Sequence, residues 1–239
     1  MTDRNLFTET LIQLADTLTD EFDIVDAMQL LTERSVTLFE ADEAGVLTRD
    51  PHGFLHLLAS TSDDTHLTEL FQIQNDQGPC LEASMTGLPV VANDLRDAGG
   101  RWPLFAPFAI GAGFLAVSAF PMRQRGRVLG ALNLFRRSPG SMHEEESRQA
   151  QAMADIATIS VLTFEATRDP EGDAGQMRHV LQSRMAVETA KGMVAATFDI
   201  TISAALEMMR RHAIANRMGL TMLATMLVEG EIEPSSLAV

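Results

Sequence analysis

The strongest constraint on this chain is a change of pattern at Arg168-Asp169-Pro170-Glu171-Gly172-Asp173, a run of helix-breaking and turn-forming residues. Before it, short apolar segments of strand type mix with stretches of helical spacing. After it, residues 176–239 carry helical spacing only. Strands confined to one part and helices alone in the other define an α+β chain of two units. The expected division is a sheet-bearing domain at 8–168, a linker at 169–175 and a three-helix domain at 176–231. With 239 residues, 46% of them hydrophobic, the chain can bury a sizeable core.

In the first part, Leu11 and Leu14, then Ile24, Ala27, Met28, Leu31, Val36 and Phe39 behind a capping Asp23, predict two opening helices. Ala44–Arg49 and Phe54–Ser60 flank the turn residues Asp50 and Gly53 and predict a β-hairpin. A helix is expected over Thr65–Ile73, a short one after Gly78-Pro79, an extended segment at Val90–Asn93, and a short or kinked helix at Trp102–Ile110. Phe114–Pro121 and Arg127–Arg137, joined by Met122–Gly126, predict a hairpin at the centre of the sheet, and a long helix follows from Met142. The second part predicts helices at Gln176–Phe198, at Thr201–Arg217 entered through Asp199 or Thr201, and at Leu220–Glu229. Their apolar faces can bury one another.

A formal charge of −15 argues against a nucleic-acid partner until its distribution is followed along the chain. Residues 1–175 hold 27 acids against 12 arginines, whereas residues 178–217 hold 6 bases against 3 acids. A cationic helical patch is tethered to an acidic body, and local sign governs which partner a surface meets.

Arg184, Glu188 and Lys191 stand at i, i+4 and i+7, so Glu188 can bridge both bases. Such a ladder is either a solvated ion-pair face or a phosphate-binding edge. Arg210, Arg211 and Arg217 form a second basic edge; arginine chelates phosphate oxygens and stacks on bases. The His212 ring beside them either stacks on a base or packs half-buried between helices. Cys80 is the single cysteine, which excludes an internal disulfide and a cysteine-based zinc cluster. It is a reactive thiol at a helix start or, as free cysteines usually are, a buried apolar residue. His52 and His56 are the closest histidine pair, and without acid ligands beside them no metal site is expected. There is no nucleophile elbow, phosphate-cradling glycine loop or paired-histidine helix, so neither catalysis nor a cofactor is expected. The opening MTDRNLFTETLIQL lacks the basic start of a secretory signal, and no stretch approaches the ~18 apolar residues of a membrane span. A cytoplasmic chain with no membrane partner is expected.

The stretches GPCLEASMTGLPVVANDL at 78–95 and RWPLFAPFAIGAGFLAVSAFPMRQRGRVLGALNLF at 101–135 resemble the GAF sensor domain, a likeness spanning about Leu11 to Phe164. SRMAVETAKGMVAATFDITISAALEMMRRHAIANRMGL at 183–220 resembles the ANTAR domain, a three-helix RNA-binding output module of transcription antiterminators. The hallmark of that domain is Ala190-Lys191-Gly192 after an Arg and a Glu, here Arg184 and Glu188. The resemblances imply a GAF-like antiparallel sheet of five or six strands flanked by helices, plus an ANTAR-like bundle. They imply binding of paired RNA stem-loops in nascent transcripts by a homodimer. Arg184 and Lys191 would contact phosphates, Glu188 would orient them, and Ala190 and Gly192 would permit close approach. Ala205, Arg210, His212 and Ala213 match the second-helix pattern of the domain, and Arg211 and Arg217 of the basic edge join Arg210 and His212 in the expected RNA-binding set. Departures from the pattern are His212, where tyrosine is common, and Thr189, where glutamine is usual. In the sensor part a pocket for a small-molecule effector would be lined by Phe71, Asn75, Cys80, Trp102, Phe105, Phe108 and Asn133. Two alternatives stand beside this: a ligand-sensing or protein-docking module that binds no RNA, and a GAF-type methionine sulfoxide reductase. The latter normally uses two cysteines, and this chain has one.

Overall fold

The computed structural model describes residues 2–16, 23–50, 52–124, 126–167, 173–216 and 218–237. Of the expectations above, residues 168–172 at the break and Arg217 lie outside them. Helices α1 (Thr2–Asp16) and α2 (Ile24–Leu38) come first, and Asp23 caps α2, its Oδ1 accepting from the Val25 and Asp26 amides. Strands β1 (Glu43–Arg49) and β2 (Leu55–Ser60) form the expected hairpin. Asp50 closes its turn: the carbonyl accepts from Gly53 and the carboxylate from Phe54. Then follow α3 (Asp63–Asn75), α4 (Pro79–Thr86), the short strand β3 (Val90–Ala92) and α5 (Phe105–Gly111). Strands β4 (Ala116–Gln124) and β5 (Arg127–Arg136) lead to α6 (Glu144–Thr167). The last three helices are α7 (Asp173–Phe198), α8 (Ile202–Ala215) and α9 (Leu220–Val228).

Among the described residues five strands run antiparallel in the order β2-β1-β5-β4-β3. β4 begins later and runs further than expected because Met122 and Arg123 pair with Gly130 and Val128 across a bulge instead of joining the loop. Pro121 is tolerated inside β4 because β3 pairs only with Val117, Ser118 and Ala119, so that flank needs no N–H beyond Ala119. α5 is shorter than expected, and Pro107 falls in its first turn, where no intrahelical N–H is required. α7 opens at Asp173, inside the stretch expected as linker, and Thr201 rather than Asp199 caps α8.

Successive strand residues enter opposite cores. Val46, Phe120 and Leu132 pack on one face with α2 and α6, and Leu47, Ala119 and Ala131 pack on the other with α4 and α5. The closeness of β1 and β5 depends on Gly130, where a Cβ would stand 1.9 Å from the Leu47 carbonyl oxygen. The first core continues into the helical unit through Val187, Ala190, Leu206, Met209, Leu223 and Leu227. α7 and α9 are thereby seated against α2 and the edge strand β2. Among the described residues no single helix is long and apolar enough to cross a membrane.

Candidate functional site

Arg184 and Lys191 of α7 and Arg210 of α8 gather where the helical unit meets the N-terminal domain. Among the described residues β2 is a sheet edge whose outer carbonyls no strand covers. Arg184 takes one of them: its Nη1 donates to the Leu57 carbonyl, and its Nη2 donates to His66 Nδ1 at 3.0 Å. Burial lowers the Arg184 pKa, with Glu188 opposing. Glu188 does not bridge two bases as its spacing allows; it accepts from Lys191 Nζ at 2.8 and 2.9 Å while Arg184 turns to the sheet. Lys191 is only 8% exposed. Ala190 lies in the apolar core, whereas Gly192 is exposed with open space about it.

Arg210 is clamped between elements. Its Nε donates to Asp26 Oδ1 at 2.8 Å and its Nη1 to Glu33 Oε2 at 2.9 Å, both on α2, and Glu207 of its own helix lies at 3.1 Å. Burial works against the Arg210 charge, but the carboxylates of Asp26 and Glu33 outweigh it and lift its pKa above the ordinary arginine value. Burial likewise raises the Asp26 pKa, with Arg210 pulling the other way. Arg211 is exposed, and His212 is half-buried in the last turn of α8. A third contact joins the units: α9 has glycine at its N-cap, and Asp23 Oδ2 accepts from the Thr221 amide at 2.5 Å. One aspartate therefore caps α2 through one oxygen and α9 through the other. Two clefts flank these contacts, one of about 660 Å³ lined by Asp26, Arg34, Arg210 and Ile214, the other of about 480 Å³ lined by His66, Glu188, Lys191 and Glu207. Besides the His66 nitrogen, the acceptors that hold Arg184 and Arg210 are a carbonyl and carboxylates, oxygens of the kind a phosphate chain also presents.

Of the expected sensor-pocket residues, Cys80, Trp102 and Phe105 come together in the second core, and the buried Asn133 lies beside them. Phe71 and Phe108 stack at 3.9 Å, half-buried, and Asn75 donates to the Phe71 carbonyl within its own helix. The residue that sequence reasoning missed is Glu69. It is fully buried, its Oε1 accepting from Asn133 Nδ2 and its Oε2 from Gln72 Nε2, each at 2.7 Å. Gln72 Oε1 accepts in turn from the Cys80 amide at 3.1 Å. A Cβ on Gly45 would stand 2.5 Å from Glu69 Oε1, so glycine makes room for this carboxyl. Burial pushes the Glu69 pKa up to about 8 despite the two amide bonds. The signal for it was a polar stripe on α3: Thr65, Thr68, Glu69 and Gln72 fall at i, i+3, i+4 and i+7 and are its buried residues, while Leu67 is exposed.

Burial, and then the Glu69 carboxyl, push the Cys80 thiol well above its ordinary range. An aromatic disulfide reagent should therefore modify Cys80 at least ~100-fold more slowly in the native chain than in urea. Labelling at comparable rates would place the thiol at the surface. His56 does have an acid neighbour, Asp50 of the hairpin turn, at 3.0 Å. Among the described residues no group of three or more His, Cys, Asp or Glu is arranged to hold a metal ion.

No curated protein matches the chain. Solved structures do. The GAF domain of a phosphoenolpyruvate-protein phosphotransferase from Coxiella burnetii aligns with TM-score 0.54 at 17% identity, covering 67% of this chain and 95% of that one. The corresponding GAF domain from Acinetobacter gives 0.53 at 13% identity, covering 68% and 96%. A free methionine-R-sulfoxide reductase from Neisseria meningitidis, solved with its substrate, gives 0.53 at 19% identity, covering 68% and 92%. At these identities the likeness speaks for the fold. The family profile described as GAF domain matches residues 23–161, more than half of the sequence, and the chain belongs to the GAF-domain family, a regulatory sensor fold.

Proposed function

We propose that this chain is an RNA-binding transcription antitermination regulator, with the GAF domain as sensor and residues 176–231 as an ANTAR-like output unit. In this reading the arrangement described above is its docked state. The supporting observation is that Arg184 and Arg210 are held by acceptors of the N-terminal domain, the Leu57 carbonyl and the His66 ring nitrogen for the first and the Asp26 and Glu33 carboxylates for the second. Side chains so placed become available to phosphates when the units part. The domain division at 8–168, 169–175 and 176–231 belongs to the same reading, as do action on nascent transcripts in the cytoplasm and a homodimer presenting two bundles to paired stem-loops. No catalysis is assigned.

A second reading is favoured by the same contacts: the helices serve only to dock on protein, within the chain or on a partner, and bind no RNA. Thiol-based sulfoxide reduction is disfavoured by the sealed Cys80. Lys191 separates the first two readings cleanly, because its bonded partner Glu188 is on its own helix and not across the contact. Filter binding of the full chain to tandem-hairpin RNA should weaken steeply with salt, and Lys191→Ala should reduce the log–log slope by about one. Hairpins ignored at every salt concentration both by the full chain and by its Asp26→Asn, Glu33→Gln variant support docking alone.

A further inference from the structure

The contact between Arg184 and His66 carries a chemical condition. A guanidinium has donors and no acceptor, so Arg184 Nη2 at 3.0 Å can bond His66 Nδ1 only while that nitrogen bears no proton. The neutral Nε2–H tautomer of His66 is thus part of the docked state. When Nδ1 gains a proton it becomes a donor facing a donor, and a cation facing a cation, leaving Arg184 only the Leu57 carbonyl. We propose that the seat of the helical unit on the N-terminal domain is a proton-sensitive latch, in which protonation of His66 detaches α7 from β2 and α3. The latch concerns the docked arrangement itself; only its consequence for RNA rests on the function proposed above.

The charges around His66 come from every element packed there. α7 supplies Arg184, Glu188 and Lys191, and α3 supplies Asp63. Across the cleft of about 480 Å³ stand Glu33 of α2 and Glu207 of α8. Glu188 and Asp63 favour the proton, but Glu188 is already engaged by Lys191 on both oxygens. Burial, followed by Arg184, holds the His66 pKa below the ordinary histidine value. The docked state therefore binds fewer protons at His66 than the parted state. Docking is strongest above pH ~6.5 and weakens as pH falls below it, by at most about tenfold per pH unit, the slope of one proton.

Thiol labelling of the full chain reads this equilibrium without RNA. Val187 is 4% exposed and lines the nook where α7 meets Val25 and Leu58, whereas Met222 is 59% exposed. Rates for Val187→Cys are divided by rates for Met222→Cys, which cancels the intrinsic pH dependence of the thiol, using a pyridyl disulfide that stays reactive in acid. Cys80, buried in the other core, reports any general unfolding. The ratio should rise by up to tenfold per pH unit between pH 6.5 and 5 and stay flat above pH 7. His66→Asn, whose carboxamide oxygen accepts from Arg184 without titrating, should stay flat throughout, and Arg184→Ala should be high at all pH values. A flat ratio in the parent, or an undiminished rise in His66→Asn, overturns the latch. Because no RNA is present, a moving ratio with no hairpin binding would remove the proposed function and leave the latch standing.

Discussion

Replacing Asp26 by Asn and Glu33 by Gln together is expected to raise the affinity of the full chain for tandem-hairpin RNA by a factor of about 30 to 150. The two carboxylates hold Arg210, whose side chain is 12% exposed, and their removal leaves a largely buried cation facing neutral groups on α2. Truncating one side of a desolvated charge pair costs about 2–5 kcal/mol, and the lower end, about 2–3, applies because Asp26 and Glu33 are about a third exposed. That cost falls on docking and not on the fold of either unit, since Arg210 keeps Glu207 of its own helix. Affinity for a partner of the parted state rises as that state becomes populated. Electrophoretic shift at fixed salt checks this; unchanged affinity, with hairpin binding otherwise intact, would mean that Arg210 docking does not compete with RNA.

Thermal unfolding of the parent should become easier as pH rises from about 4.5 to 8, with a slope near 1.4 kcal/mol per pH unit from Glu69 alone. The sign follows from the direction of the shift. Glu69 has a raised pKa in the folded chain, so the folded state holds its proton where the unfolded state has lost it, and each pH unit above the unfolded value penalises folding until pH passes about 8. The protonated acid also gives Asn133 Oδ1, which has no hydrogen-bond partner among the described residues, a donor once that amide turns over. Glu69→Gln keeps the shape, cannot ionise, and should exceed the parent by about 3–4 kcal/mol at pH 8 while matching it near pH 4.5. Parallel pH profiles for the two chains would show that the Glu69 carboxyl is not held neutral.

What the sequence made legible was local. Asp23 as a cap, Asp50 and Gly53 as a turn, and the three C-terminal helices all announce themselves within a few residues, and each stands where expected to within a few positions. Boundaries shifted where pairing across the sheet decided them, as at Met122 and Arg123. The partners of the charged residues were not legible. Arg210 meets Asp26 and Glu33, and Asp23 meets Thr221, only because the helical unit comes back onto α2, and no local pattern encodes that return. Glu69 was hidden for a related reason: α3 turns its polar stripe inward, against the usual rule that the apolar face is the buried one, because the Asn133 side chain and the Cys80 amide stand there to bond Glu69 and Gln72. Spacing identified the Arg184–Glu188–Lys191 ladder, but the edge strand decided where Arg184 points.

Whether α7 and α8 meet RNA when they leave α2 is read by ultraviolet crosslinking of the Asp26→Asn, Glu33→Gln chain to tandem-hairpin RNA, followed by mapping of the crosslinked peptides. Crosslinks are expected within residues 182–216, stronger than in the parent and weakened by Lys191→Ala. Crosslinks confined to the GAF domain, or none in either chain, would contradict it.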